Sequence, residues 1–317
     1  MAWPVGARAQ QPMTKRIAIV HPNIDVQVIS ASSGNRLYRV LFAELERLGY
    51  VEGQNLKVDR YSGDGRLDRF DDLAGAVVRT NPDLIFAIAN VLALSFKRAT
   101  SSIPIVILGG DVVINGISES IARPGKNITG INAQEQLIYG KRMSLLRDAV
   151  PRLSNLGLMT LRTYVRPDSP LRRLAKDNGF SLIYIPLEGK PDEDQITQAF
   201  ASMQRDKIDG LIVTDDPTIL PYKQLIVELA AGYRIPTIYA NRAYAEIGGL
   251  MTYVLDYLEA FRHVAGQINE VLKGANPGDI PFYQPNLFEL MLNLKTARTL
   301  GLELPATLLA SATQVIE

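Results

Sequence analysis

Short apolar runs separated by amphipathic stretches recur along most of this chain, and this alternation restricts the fold more tightly than any other feature. In the first half the runs are Ile17-Ala18-Ile19-Val20, Leu56-Lys57-Val58, Leu84-Ile85-Phe86-Ala87-Ile88 and Ile105-Val106-Ile107-Leu108. Runs of this length spaced by helical segments are the pattern of βαβ units, whose strands pair in parallel because each crossover returns the chain to the same end of the sheet. Between the first two runs Leu37, Val40, Leu41, Leu45 and Leu48 recur at helical spacing, and Gly49 follows where a left-handed stop is needed. That spacing predicts a helix with one face on a sheet. The pattern then restarts with Leu156-Gly157-Leu158-Met159, Leu182-Ile183-Tyr184-Ile185, Leu211-Ile212-Val213 and Thr237-Ile238-Tyr239-Ala240. Two similar α/β halves follow. How they are joined does not, since any doubly wound protein can repeat its units this way.

Composition narrows the function classes. With 317 residues, 47% of them hydrophobic and 21% charged, the chain has the length for two domains and the balance of a soluble globular protein. Its 34 basic and 33 acidic residues leave a net charge of +1 and no field to draw a nucleic acid or an anionic membrane, so neither is an expected partner. The absence of cysteine removes thiolate nucleophiles, disulfides and thiolate metal sites. Two histidines, His21 and His263, cannot form a multi-histidine metal cluster, and no metal or cofactor is expected. No run approaches the roughly 18 apolar residues of a membrane span.

An enzyme needs a nucleophile with its base, a metal site or a cofactor loop. Gly63-Asp64-Gly65 begins like a dinucleotide fingerprint, but Asp68 stands at the third glycine and the segment reads as a turn. There is no P-loop, no Gly-x-Ser-x-Gly elbow and no His-Glu-x-x-His helix. Asp71-Asp72 falls in a polar helix start, where acids favour the helix dipole. Asp215-Asp216 follows a buried strand, and adjacent acids can divide acid and base roles, yet no partner base stands with them. Asn127-Ile128-Thr129 matches a glycosylation sequon, a triplet that arises often by chance.

Binding chemistry is easier to place. In parallel α/β sheets ligands sit beyond the carboxyl ends of the strands, where loops and helix starts offer free backbone N–H groups. In the first half that rim contains His21 and Asn23 after the first run, then Ser32 and Ser33 at the next helix start, Asn90, and Gly110-Asp111. Serines there either cap the helix or meet a carboxylate. In the second half the rim contains Arg162, Thr163 and Tyr164, then Asp215 and Asp216, then Asn241, with Tyr253 further on. An acid can hold an ammonium group and a tyrosine can stack on a ring. Asp216-Pro217 also reads as a helix entry with proline at the first helical position.

Several motifs add what periodicity cannot. They are Leu48-Gly49-Tyr50-Val51-Glu52-Gly53-Gln54-Asn55-Leu56, Gly65-Arg66-Leu67-Asp68-Arg69 and Ala122-Arg123-Pro124-Gly125-Lys126-Asn127-Ile128-Thr129-Gly130. Gly248-Gly249-Leu250-Met251 and Phe288-Glu289-Leu290-Met291-Leu292-Asn293-Leu294-Lys295-Thr296-Ala297 complete the series. In this order and spacing the chain resembles the ABC-transporter substrate-binding proteins that include tryptophan and tyrosine binders. The resemblance implies an α/β type I periplasmic-binding-protein fold, two Rossmann-like lobes with parallel sheets joined by a hinge around a cleft. Crossings are then expected near residues 127–132, 250–256 and 282–287. The N-terminal lobe would comprise residues 15–127 plus about 252–282, and the C-terminal lobe residues 128–251 plus about 283–317.

The same resemblance implies binding and not catalysis: an exported component of an ABC importer that holds a small polar ligand, an amino acid or aromatic carboxylate, and presents it to a permease in the inner membrane. A monomer is expected. Three departures fall on the rim. Leu161-Arg162-Thr163-Tyr164 stands where Asn-Pro is usual, Ala89-Asn90 where Gly-Thr or Ser-Thr is usual, and Val112 replaces a proline after Gly110-Asp111. Ala7-Arg8-Ala9 before Gln10-Gln11 has the small-x-small form of a signal-peptidase site, so residues 1–14 read as an export remnant with a disordered tail, and the location as periplasmic. Two other readings stay open: a cytosolic ligand-sensing domain of the same architecture, against which stands the lack of a helix-turn-helix before Arg16, and an α/β enzyme using Asp215-Asp216.

Overall fold

The computed structural model describes residues 14–165, 169–189, 191–216 and 218–317; the expected export remnant, Thr14 apart, lies outside the described residues. The chain forms two compact units, the first running to Asn132 and including Tyr257–Tyr283, the second comprising Ala133–Asp256 and Gln284–Glu317. The first stretch carries β1 (Lys15–His21), α1 (Arg36–Arg47), β2 (Leu56–Ser62), α2 (Phe70–Arg79), β3 (Leu84–Ile88), α3 (Asn90–Ala99), β4 (Ile105–Gly109) and β5 (Ile128–Asn132). Then follow α4 (Glu135–Ala149), β6 (Asn155–Leu161), α5 (Pro170–Asp177), β7 (Ser181–Leu187), α6 (Glu193–Arg205), β8 (Gly210–Val213), α7 (Lys223–Gly232), β9 (Thr237–Tyr239) and β10 (Met251–Leu255). The chain returns to the first unit as α8 (Tyr257–Leu272) and ends in the second with β11 (Phe288–Asn293), α9 (Leu294–Leu300), α10 (Ala306–Ala310) and β12 (Gln314–Ile316).

In the first unit the described strands form one parallel sheet in the order β2-β1-β3-β4-β5. Helix α1 shows why these segments fold as they do. Asn35 caps it, its side chain accepting from the Leu37 N–H at 2.9 Å. Tyr38, Leu41, Phe42 and Leu45, at spacings of three and four, are its buried stripe, and Gly49 ends it at φ +95. Gly130 in β5 has no alternative residue: at φ +144, a Cβ would lie 2.1 Å from the Ile107 carbonyl oxygen of β4. Asn127, the sequon residue, is buried, and its amide donates to the Ile103 carbonyl at 2.7 Å.

The second sheet runs β12-β11-β10-β9-β8-β6-β7. Alternate residues of its strands serve opposite faces. Leu158, Ile212 and Ile238 pack with Met143 and Leu146 of α4, while Met159, Leu211 and Tyr239 pack with Phe200 of α6 and Ile226 of α7. This sheet is not wholly parallel, as the sequence had suggested, because β11 pairs antiparallel with β10. The chain leaves β10 at Asp256 and re-enters beside it, the Asp256 N–H donating to the Leu287 carbonyl at 3.0 Å, so β11 can only run back along β10.

Two boundaries differ from those expected. Residues 128–132, assigned above to the second lobe, are β5, held by its ladder to β4 in the first unit. Residues 252–256, assigned to the first lobe, belong to the second unit through the pairing of β10 with β9 and β11. Backbone pairing decides both.

Candidate functional site

Crevices of doubly wound sheets open where the strand order reverses. In the first unit that point lies between β1 and β3, in the second between β6 and β8.

In the first unit β1 ends at His21, which is 8% exposed. Its Nδ1 accepts from the N–H groups of Asn23 at 3.1 Å and Ile24 at 3.0 Å, which leaves the ring proton on Nε2. Burial pushes its pKa down to about 4, so the ring is neutral at pH 7. Nε2–H makes no hydrogen bond among the described residues, and neither does the buried Oδ1 of neighbouring Asn23. One neutral donor and one neutral acceptor are therefore available. Gly63-Asp64-Gly65 closes on the same loop as a turn, the Gly63 N–H donating to the His21 carbonyl at 2.9 Å.

The other expected residues of this unit are engaged internally. Ser32 and Ser33 do not start a helix, because α1 begins beyond them with Asn35 as its cap. The Ser33 hydroxyl donates to the Ser30 carbonyl at 3.0 Å and accepts from the Asn35 N–H at 3.3 Å, while Ser32 is exposed. Neither serine has the helix dipole behind it that an anion site at a helix start requires. Asn90 begins α3 and clamps Gly110: its Nδ2 donates to the Gly110 carbonyl at 2.7 Å and its Oδ1 accepts from the Gly110 N–H at 3.0 Å. Gly110 is buried, and both its backbone groups are thus taken. Asp111 follows at φ +46, its carbonyl accepting from Asn115 Nδ2 at 3.2 Å.

The second unit gathers its expected residues more closely. Asp215 follows β8 and Asn241 follows β9; Asn241 Nδ2 donates to Asp215 Oδ1 at 3.0 Å, while its own Oδ1 caps the next turn through the Ala243 N–H at 3.0 Å. Asp215 is open to solvent but closely ringed by protein, and desolvation, the largest effect, raises its carboxyl above the usual range. The Asn241 amide and the Arg142 charge act the other way, and Asp216 adds to the rise. Asp216 is 6% exposed, and its Oδ1 accepts from both the Thr218 N–H at 2.7 Å and the Thr218 hydroxyl at 2.6 Å. It therefore caps a turn. Pro217 lies outside the described residues, and α7 starts only at Lys223.

Tyr164 is 47% exposed, and its hydroxyl is pushed up to about 12 by partial burial first and then by the charges of Asp216 and Glu135. The Tyr253 ring stacks on Phe288 with centroids 5.3 Å apart. Arg162 is engaged in an exposed ion pair, its Nε donating to Glu188 Oε1 at 2.7 Å.

Sequence reasoning missed the residue at the centre of this group. Arg142 of α4 is 6% exposed, and its Nε and Nη2 donate to the Tyr253 carbonyl at 3.0 and 2.9 Å. Its guanidinium lies over the Tyr139 ring, 5.2 Å from the centroid. The signal was legible: Arg142 is four residues from both Ile138 and Leu146, a cation inside the apolar stripe of a helix. Tyr184 and Tyr244 bring further buried hydroxyls that make no hydrogen bond among the described residues, and Asp215 acts on the titration of Tyr139 and Tyr244.

This arrangement can hold an ion and stack a ring. Among the described residues no group of histidines and carboxylates is placed for a metal ion, and no helix is long and apolar enough to cross a membrane. The family described as ABC transporter substrate binding protein matches residues 23–316. A tyrosine-binding protein of Clostridioides difficile is 27% identical over 305 residues, 94% of this chain and 86% of that one. A conserved domain protein of Vibrio cholerae shares the fold with a TM-score of 0.80 at 23% identity, over 95% of this chain and 99% of that one. An ABC domain from Streptococcus pneumonia, solved in complex with L-Trp, shares it with a TM-score of 0.79 at 21% identity, over 96% and 100%.

Proposed function

The chain belongs to the ABC transporter substrate binding protein family, and on that premise we propose that it is the exported, periplasmic ligand carrier of an ABC importer, delivering an amino acid or aromatic carboxylate to a permease in the inner membrane. The observation that carries the ligand class is Asp215. An accessible carboxylate oriented by Asn241, beside the exposed ring of Tyr164, suits a ligand that pairs an ammonium group with an apolar or aromatic side chain. The tyrosine-binding relative supports the same class. The departures at Ala89-Asn90 and Arg162-Thr163-Tyr164 follow the carboxyl ends of β3 and β6, so the proposal is made for the class and not for tyrosine itself.

Thermal-shift screening against amino acids, aromatic acids and sugars tests the ligand. A binder at about 100 times its Kd stabilises the folded state by about 2.7 kcal/mol, a readily measured rise in melting temperature. Amino or aromatic acids should produce it and sugars should not; if every amino acid and aromatic acid fails, the ligand class is wrong. Fractionation of cells expressing the gene from its own upstream sequence tests export, with recovery confined to the cytoplasm as the opposing result. Sedimentation tests the expected monomer.

A further inference from the structure

Arg142 is a buried cation that the second unit leaves uncompensated. No carboxylate lies within ion-pair distance of it among the described residues. Its two hydrogen bonds run to a single carbonyl, that of Tyr253, and its face rests on Tyr139. These contacts fix the fork in place without neutralising it. A guanidinium carries five N–H donors, so three are left over, two of them on Nη1. A fold holds such a charge at a cost that an arriving anion removes.

The acid of the same site is also incomplete. Asn241 occupies Asp215 Oδ1, while Oδ2 makes no hydrogen bond among the described residues. Arg142 is held at the Tyr253 carbonyl of β10, while Asp215 follows β8 and is bonded to Asn241, which follows β9, the strand between β8 and β10; no ion pair joins the two among the described residues. Two opposite charges kept apart, each with free hydrogen-bonding capacity, match the two ends of a zwitterion better than they match each other.

We propose that Arg142 and Asp215 together read an α-amino acid, the free Nη1 edge of Arg142 taking the carboxylate and Asp215 Oδ2 taking the ammonium group. Arg142 is then the residue that makes the carboxylate a requirement. The inference rests on the reading of this chain as a carrier of amino acids.

Calorimetry on the full chain tests it with L-tyrosine, L-tryptophan, tyramine, tryptamine and 3-(4-hydroxyphenyl)propionate. Removing one partner of a buried charge pair weakens binding by roughly 30-fold or more. Wild type should therefore bind the amino acids at least that much more tightly than the amines. Arg142→Gln should bring the amino acids down to the amines' affinity and leave the amines unchanged. Asp215→Asn should weaken amino acids and amines together and spare the propionate. Equal affinity of wild type for tyrosine and tyramine, or an unchanged amino-acid affinity in Arg142→Gln, overturns the inference while the amino-acid reading stands. Failure of wild type to bind any of these probes, together with failure of every amino acid in the thermal-shift screen, overturns both. Should Arg142→Gln not fold, the wild-type comparison of tyrosine with tyramine decides without it.

Discussion

Replacing Asn90 with alanine should loosen the first unit by a predictable amount. Asn90 gives the Gly110 carbonyl one hydrogen bond, 2.7 Å from Nδ2, and takes another from the Gly110 N–H at 3.0 Å. After truncation the carbonyl keeps Asn115 Nδ2 at 3.0 Å, but the buried N–H keeps no partner. An unsatisfied buried donor costs about 1–3 kcal/mol, and alanine's better helix propensity at the start of α3 returns only about 0.5 kcal/mol, so a net loss of about 1–2 kcal/mol is expected. Gly109→Ala should break the same clamp by another route, because its Cβ would lie 2.3 Å from Asn90 Oδ1 and the amide would have to swing away. If both substitutions act through one pair of hydrogen bonds, the double variant should lose about as much as the worse single, a coupling of about 1–2 kcal/mol. Urea unfolding followed by circular dichroism measures the losses, and hydrogen exchange across β4 assigns them to the first unit. Additive losses would refute the shared clamp.

Asp216→Ala should cost about 1–2 kcal/mol in urea unfolding, because Thr218 loses the acceptor of both its hydrogen bonds, whereas Asp216→Asn keeps that oxygen and most of the stability; an alanine variant as stable as wild type would remove the capping role. His21 gives the fold a pH dependence of definite sign. With its pKa lowered from 6.5 to about 4, the unfolded state binds the extra proton between those values, so stability is full above about pH 6.5 and falls by up to about 3 kcal/mol as pH drops to 4. His21→Asn keeps an acceptor near the Nδ1 position without the titration, and an unchanged slope over that window in the variant would reject the assignment.

Most of the strands the sequence revealed are buried on both faces; β2 and β7, also read from their apolar runs, are partly exposed. β1, β3, β4, β6, β8 and β9 read as unbroken apolar runs because neither side meets water. β5 was hidden by Thr129, Gly130 and Asn132, which are buried because β4 approaches closely at Gly130 and because Thr129 donates to the Ile280 carbonyl at 2.7 Å. β12 is an edge with two exposed residues of three and carries no pattern at all. At the candidate site, the strand-end rule names residues but not which of their polar groups are free. Whether a polar side chain is free depends on partners far along the chain: Asn90 is taken by a glycine 20 residues on, and Arg142 is held by a carbonyl 111 residues on. Local spacing contains neither fact.

The two rims therefore differ in kind. In the first unit Ser33, Asn90 and Gly110 are engaged with their own backbone, and what remains, His21 Nε2–H and Asn23 Oδ1, is neutral. In the second unit Arg142 and Asp215 carry opposite charges with capacity to spare. A neutral hydrogen bond contributes about 0.5–1.5 kcal/mol net, whereas loss of one member of a desolvated charged pair costs about 2–5 kcal/mol. Recognition of a charged ligand should then be graded by unit. His21→Asn, which deletes the Nε2 donor, should weaken amino-acid binding by no more than about 10-fold, and Asp215→Asn by about 30-fold or more. Calorimetry of the two variants with one amino acid ranks them directly. If His21→Asn proves the more damaging, the neutral groups of the first unit carry the recognition and the charges of the second are structural.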